Sequence, residues 1–354
     1  MNLTNDRNQD MEYWNGTKVL VTGGASFIGS HLVDRLVALG AVVRVADDLS
    51  SGKLENLQQS LSRIDLRQGN LRDRSFARDA LTGVDVVFHL AACHGGRGFI
   101  DTHPADCASN LVLDGIVFDE AQRARIERVC FASSACVYPT QLQAAPIEGQ
   151  TVYLKEEWAD PFKQGCAAAD GEYGWAKLMG EMTLRAYWKQ YGMKSVSCRL
   201  FTAYGERENE THAVIAFIAK AFVKMDPYEI WGNGKQDRNF TYVSDIVEGM
   251  IHAAEKVEDA SAVNIGTAEH IKIIDAVKLT FAETGFAPQS LAFDTSKPVG
   301  VFSRAADLTR TRELLHWEPQ TSFAEGLRRT IQWYYKTRNV ADVASRLGVL
   351  LTER

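Results

Sequence analysis

Ser134, Tyr173 and Lys177 are the residue types needed to move a proton on and off a sugar hydroxyl while a nicotinamide takes the hydride. Ser134 lies in the run Ala132-Ser133-Ser134-Ala135-Cys136-Val137-Tyr138-Pro139, which follows the apolar strand residues Val129-Cys130-Phe131, and Tyr173 to Lys177 lies downstream. A phenol beside an ammonium group releases its proton more readily, and a serine hydroxyl can hold the same sugar oxygen. Cys136, two residues past Ser134, adds a thiol that hydride transfer does not require. With a reference pKa of about 8.5, a thiol needs only a modest shift to act as a base on a carbon acid. That combination points to an epimerase that inverts carbon. A cysteine after a buried strand is more often a small core side chain, and the spacing to Ser134 is what favours chemistry here.

The elements that must position these residues alternate between β-branched runs and amphipathic segments, the pattern of βαβ units on a parallel sheet. Strands are expected at Lys18 to Thr22, Val42 to Ala46, Asp85 to Leu90, Val129 to Ser134 and Ser195 to Leu200. A helix is expected from Phe27 to Leu39, with Ile28, Leu32, Leu36 and Leu39 on one face. The fold class is therefore α/β with a parallel sheet, and the less regular pattern beyond Tyr204 implies a second lobe interleaved with the first, since Asn239 to Ala254 again reads as core sheet and helix. Residues 1–16 are expected to be a flexible leader and 336–354 a C-terminal tail.

Thr22-Gly23-Gly24-Ala25-Ser26-Phe27-Ile28-Gly29 sits between the first strand and the first helix, where glycines let a backbone approach a pyrophosphate at the helix N-terminus. Asp47, about twenty residues on at the end of the second strand, would bind adenosine ribose hydroxyls and favours NAD over NADP. Ala91-Ala92 supplies small side chains where a ligand must come close to the backbone. Ser26 stands where a glycine would be expected.

Net charge of -6 and a pI near 5.8 argue against non-specific nucleic-acid binding. No apolar run is long enough to span a bilayer, and the N-terminal residues lack a signal-peptide layout. Six cysteines in 354 residues, none in a CxxC pair or with metal-ligand spacing, suit a reduced cytoplasmic protein without a metal. Cys107, Cys130, Cys166 and Cys198 read as structural, and Cys93 and His94 as shaping the pocket.

Together Thr22 to His31, Asp47 to Ser50, His89 to Ala92, Tyr173 to Lys177, Arg238 to Val243, Asn264 to Gly266 and Arg304 to Asp307 resemble the extended short-chain dehydrogenase/reductases of the NAD-dependent epimerase/dehydratase family, over about residues 17 to 335. Gly95 to Ile100, Ala132 to Pro139 and Trp231 to Gly234 are most similar to the GDP-mannose 3,5-epimerases. The thiol position and Thr211 to Ile215 are also similar to the GDP-L-fucose synthases. The resemblance implies a nucleotide-diphosphate sugar substrate and NAD held by Gly23, Ser26, Phe27, Ile28, Gly29, Asp47, Asp48, Asn70, Leu71, Leu90, Ala91, Ala92, Asn110, Tyr173 and Lys177. It implies catalysis by Ser134, Cys136, Tyr173, Lys177 and His212, with Cys136 and His212 as an acid/base pair across the sugar. Substrate would meet Gly96, Arg97, Lys220, Trp231, Gln236, Arg238 and Arg304, with Arg238 and Arg304 on the diphosphate. The resemblance further implies a doubly wound Rossmann lobe over residues 17–200 plus about 239–262 and a smaller α/β substrate lobe over 201–238 and 263–335, and the helices from about Asn110 to Arg125 and Tyr173 to Tyr191 resemble the family's homodimer bundle.

Thr202, Glu206 and His212 depart from the pattern, which has Asn, Pro and Lys at these places, and the stretch from Gly205 to Ala213 is short. A 4-epimerase that leaves Cys136 idle is the alternative enzyme. A non-catalytic NAD-binding regulator is the alternative from another class, and Tyr173 and Lys177 argue against it. A dehydratase would carry acidic residues in place of Ala135 and Cys136.

Overall fold

The computed structural model describes residues 12–143, 151–164, 168–297 and 299–351. Seven parallel strands form one sheet: β1 (Lys18–Thr22), β2 (Val42–Asp47), β3 (Asp65–Gln68), β4 (Val86–His89), β5 (Arg128–Ser134), β6 (Lys194–Leu200) and β7 (Ala262–Ile265). Their order across the sheet is β7-β6-β5-β4-β1-β2-β3. The strands read as near-continuous apolar runs because helices cover both faces of the sheet. The order reverses between β1 and β4, with Thr22 opposite His89, and this switch point opens the crevice where a doubly wound sheet binds ligands.

The principal helices are α1 (Phe27–Ala38), α2 (Asn110–Arg123), α3 (Gly171–Tyr191), α4 (Ala213–Phe222), α5 (Val243–Lys256), α6 (Ile273–Thr284), α7 (Phe323–Thr337) and α8 (Val340–Leu350). Leu32, Val33 and Leu36 of α1 are buried with Val19 and Val21 of β1 and with Met250 and Ile251 of α5 in the sheet's core. A second core joins Ile215 and Ile218 of α4, Val277 of α6, and Leu327 and Tyr334 of α7 to Tyr228 and Ile230. No described helix is long and apolar enough to cross a membrane.

Three expected boundaries shift. Within the expected leader, Trp14 is fully buried against Phe88, and its indole N–H donates to Glu255 at 2.5 Å; residues 1–11 lie outside the described residues. The last sheet strand, Ala262–Ile265, runs past the expected edge of the Rossmann lobe at 262. The expected tail contains α8, started by Asn339, whose side chain accepts the Ala341 and Asp342 N–H groups, and buried through Val343 and Leu347 in the second core. A lone aromatic in a polar leader and a short amphipathic segment give weak periodic signals, and only tertiary packing makes them structure. Trp14→Ala is expected to cost about 3–5 kcal/mol of stability, read as a lower midpoint in thermal or urea unfolding.

Candidate active site

A cavity of about 890 Å³ opens at the switch point, between the C-terminal edge of the sheet and the second core. The expected site residues line it, with two exceptions, Gly29 and Asn110. A Cβ on Gly29 would lie 2.2 Å from the Gly23 carbonyl oxygen, so this glycine serves helix-to-loop packing. Asn110 is fully buried and spends its amide on one residue: Oδ1 accepts the Cys93 N–H at 2.7 Å, and Nδ2 donates to the Cys93 carbonyl at 2.9 Å. It shapes the loop after β4 from behind.

Gly23 has φ +68°, and a Cβ there would come within 2.9 Å of the Ala91 backbone. A left-handed turn this close to the loop after β4 requires glycine. Ser26, the departure from the expected glycine, donates its hydroxyl to the Gly23 carbonyl at 2.5 Å and caps no N–H of α1. The helix N-terminus therefore still offers N–H groups and its positive dipole end to an anion. Asp47 accepts the Ala25 N–H at 2.9 Å and the Leu49 N–H at 2.8 Å. Its carboxylate thus ties the glycine loop to the end of β2. Gly23, Ser26 to Ile28, Asp47, Asp48 and Leu90 to Ala92 fit a dinucleotide laid across the switch point.

Tyr173 is buried between Phe99 and Cys107, with Cys93 and Cys136 packed against the same cluster. Burial pushes its phenol well above the ordinary range, Cys136 and Asp114 add to the rise, and a hydrogen bond from Ser134 opposes it. Burial pulls Lys177 below its ordinary value, and the Asp114 carboxylate resists that shift. The Lys177 ammonium lies 4.6 Å from the Phe131 ring centre and 5.9 Å from that of Tyr173. Ser134 begins a short turn by accepting the Cys136 N–H at 3.1 Å, so the thiol follows the serine into the cavity at a fixed offset.

Arg304 is nearer the thiol than sequence spacing could show: Nη1 lies 3.7 Å from Cys136 Sγ, Nε donates to Gln143 at 2.6 Å, and Nη2 meets Asp170 at 3.3 Å. Asp170 also receives Arg97 at 2.9 Å. Arg238 donates to the carbonyls of Asp237, Val299 and Phe302 and is pushed down to about 10 by burial and by the neighbouring Arg304 and Arg97 charges. Arg97 and Arg304 are paired with Asp170, whereas Arg238 has carbonyl partners and feels the charge of both arginines, an imbalance that a bound polyanion would relieve. Lys220 sits further along, donating to the Glu229 carbonyl at 2.9 Å, with its ammonium 5.7 Å from the Trp231 ring centre.

His94 stands between Tyr173 and His212, with ring-centre distances of 6.0 Å and 5.7 Å. His212 precedes α4, and its Nδ1 is 3.2 Å from a carboxyl oxygen of buried Glu208. Burial and His94 push His212 down to about 3. Asp170, Gln143 and Glu208 were not expected as site residues, and His94 was expected only to shape the pocket. Asp170 sits three residues before Tyr173, a spacing that could have suggested it; the others meet the site only through tertiary contact. The departures also find partners: Glu206 accepts the Tyr242 hydroxyl at 2.7 Å, and the Thr202 carbonyl accepts the Thr241 N–H at 2.8 Å.

Of the five cysteines among the described residues, Cys107, Cys130 and Cys198 are buried and Cys93 and Cys136 are partly exposed; Cys166 lies outside the described residues. Iodoacetamide on the native protein is expected to label Cys93 and Cys136 and spare the three buried thiols, with nucleotide sugar slowing the labelling of Cys136. Peptide mass spectrometry reads both effects.

Residues 19–266 match the family model described as the NAD dependent epimerase/dehydratase family. Among curated proteins, the chain is 32% identical over 330 residues to GDP-mannose 3,5-epimerase of Arabidopsis thaliana, covering 91% of this chain and 84% of that protein. It is 29% identical over 328 residues to UDP-glucose 4-epimerase of Mycolicibacterium smegmatis, covering 90% of this chain and 98% of that protein. Among solved structures, the UDP-glucose 4-epimerase of Thermotoga maritima with UDP-glucose superposes with a TM-score of 0.78 at 29% identity, covering 90% of this chain and 99% of that one. The UDP-glucose 4-epimerase of Thermus thermophilus in complex with NAD gives a TM-score of 0.77 at 25% identity, covering 90% and 99%. With the sheet order, the glycine loop and the Ser134, Tyr173 and Lys177 set in one cavity, these matches identify the chain as a member of the NAD-dependent epimerase/dehydratase family.

Proposed function

We propose that the protein inverts carbon centres of a nucleotide-diphosphate sugar, at C3 and C5, in the manner of a GDP-mannose 3,5-epimerase. The observation that carries this reading is the Cys136 thiol in the cavity, offset two residues from Ser134 and packed against Tyr173, with His212 beyond His94. The similarity to GDP-mannose 3,5-epimerases supports it.

NAD held along the glycine loop and the loop after β4 would supply reversible hydride transfer at the sugar C4. Tyr173 takes the proton of the 4-hydroxyl while Ser134 hydrogen-bonds the same oxygen. Because burial raises the phenol, Tyr173 depends on positive charge at Lys177, and Asp114 helps keep that lysine charged. A ketone at C4 makes the hydrogens on C3 and C5 acidic, since the carbanion is delocalised onto oxygen. Cys136 removes one from its face of the ring and becomes a neutral thiol, and His212 delivers a proton to the other face. Arg97, Arg238 and Arg304 hold the diphosphate and anchor the sugar against the thiol. The same reading makes the chain a homodimer through α2 and α3, which leave Leu111, Val112, Trp175 and Met179 exposed.

Incubation with GDP-mannose in D2O is expected to put deuterium on C3 and C5, read by NMR, and Cys136→Ala to abolish that label. Turnover without label at carbon would sink the proposal in favour of a 4-epimerase, the activity named for relatives of similar identity. Tyr173→Phe is expected to slow turnover by about 10²–10⁴-fold, measured as initial rate of sugar conversion.

A further inference from the structure

His212 poses a chemical problem for the function proposed above, on which the following rests. A proton donor is needed on its side of the sugar, yet burial and His94 keep the ring from charging on its own. Glu208 answers it. This residue is 2% exposed, it lines the cavity, and its Oε1 lies 3.2 Å from His212 Nδ1. Glu208 Oε2 and His212 Nδ1 have no aligned hydrogen-bond partner among the described residues, which is costly for buried polar atoms. Burial holds the Glu208 carboxyl well above its ordinary value, which favours its protonated form.

The other ionisable groups of this loop are spoken for. Glu206 accepts the Tyr242 hydroxyl, Arg207 pairs with Asp34 at 2.7 Å, and Glu210 accepts the Tyr334 hydroxyl at 2.9 Å with Arg338 at 3.6 Å. His94, on the loop after β4, faces the His212 ring from the other side, with Tyr173 of α3 beyond it. Glu208 is therefore the group placed to exchange a proton with His212 Nδ1.

We propose that Glu208 and His212 form a proton relay in which the carboxyl group recharges the imidazole from behind. In the resting pair the carboxylic acid donates to Nδ1 and the neutral ring carries its proton on Nε2. When the substrate carbanion takes the Nε2 proton, the Glu208 proton passes to Nδ1. The products are a C–H bond, a carboxylate and a neutral ring protonated on Nδ1, so charge moves from carbon to Glu208 and the ring never rests as a cation. A solvent proton taken up at Nε2, with the Nδ1 proton passing back to the carboxylate, restores the resting pair. Glu208 is a positioning residue that acts through His212, and the pair must hold its shared proton to work. Carbon protonation is accordingly lost as pH rises through the titration that removes the shared proton.

Two measurements test this. Glu208→Gln, with NAD bound and GDP-mannose in D2O, is expected to lower deuterium incorporation at carbon about 100-fold more than it lowers ketone formation, followed by the absorbance of the reduced cofactor. Its remaining exchange should rise toward acid pH, where His212 can protonate unaided. Equal effects on both steps, or an unchanged pH profile, would overturn the relay. If the wild-type protein exchanges no carbon-bound hydrogen, the epimerase reading itself falls and the relay with it. Should the variant not fold, 15N-histidine NMR of the wild-type protein decides, with His212→Asn assigning the signal. A protonated Nε2 and a hydrogen-bonded, unprotonated Nδ1 at pH about 7 are expected; a ring that titrates independently near the ordinary histidine value of about 6.5 contradicts the pair.

Discussion

One threonine hydroxyl joins the two halves of the sheet where the ligand cleft opens. Thr22 Oγ1, at the end of β1, accepts the N–H groups of Leu90 and Ala91, each at 3.1 Å, just past the end of β4. With two donors already directed at it, the oxygen turns its own hydrogen to His89 Nδ1, 2.7 Å away. The His89 ring then carries its proton on Nε2 and donates to Asp114 at 3.1 Å. This buried chain fixes the distance between the glycine loop and the loop after β4, the two backbones that a dinucleotide must touch together. It also delivers the carboxylate of Asp114 to the neighbourhood of Lys177, so one set of hydrogen bonds links cleft width to the charge of that lysine. Each backbone N–H left without its partner there would cost about 1–3 kcal/mol.

The rest of the site consists of charges taken out of water and then balanced incompletely. Arg238 is held only by carbonyls, Tyr173 is too deeply buried to ionise alone, and the Glu208 and His212 pair lacks a completed hydrogen bond. Each of these costs folding free energy, and each matches a need of the proposed reaction: a diphosphate for the arginines, a positive charge for the phenol, a departing proton for the relay. The large apolar cores on either side, with β1, β4 and α5 on one and α4 and α7 on the other, are what make such a site sustainable.

Much of this was legible in the sequence because local pattern and chemistry coincide there. The βαβ alternation marks the sheet, the Gly23 turn marks the loop, Asp47 marks the end of β2, and the offset of Cys136 from Ser134 survives as a hydrogen-bonded turn. What escaped the sequence depends on partners distant along the chain. His94 looked like a pocket wall until His212 and Tyr173 flanked it. Asn110 and Gly29 belong to the right motifs, yet they support the cleft from behind, because a motif records proximity to a loop and not which side of it a side chain faces. Arg304 reads as a phosphate ligand by its motif, and only the fold brings its guanidinium to the Cys136 sulfur. Trp14 and α8 were missed because a single buried indole and a short helix pack through tertiary contacts that leave little periodicity.

The proposed inversion requires that a thiol and an imidazole address one sugar carbon from opposite faces. A crystal structure of the Tyr173→Phe variant with NAD and GDP-mannose would test it most directly. The account predicts Cys136 Sγ and His212 Nε2 on opposite sides of the ring, each within about 3–3.5 Å of C3 or C5 or of the hydrogen it carries. A sugar ring whose C3 and C5 lie away from the thiol, with Cys136 turned to the diphosphate, would contradict it.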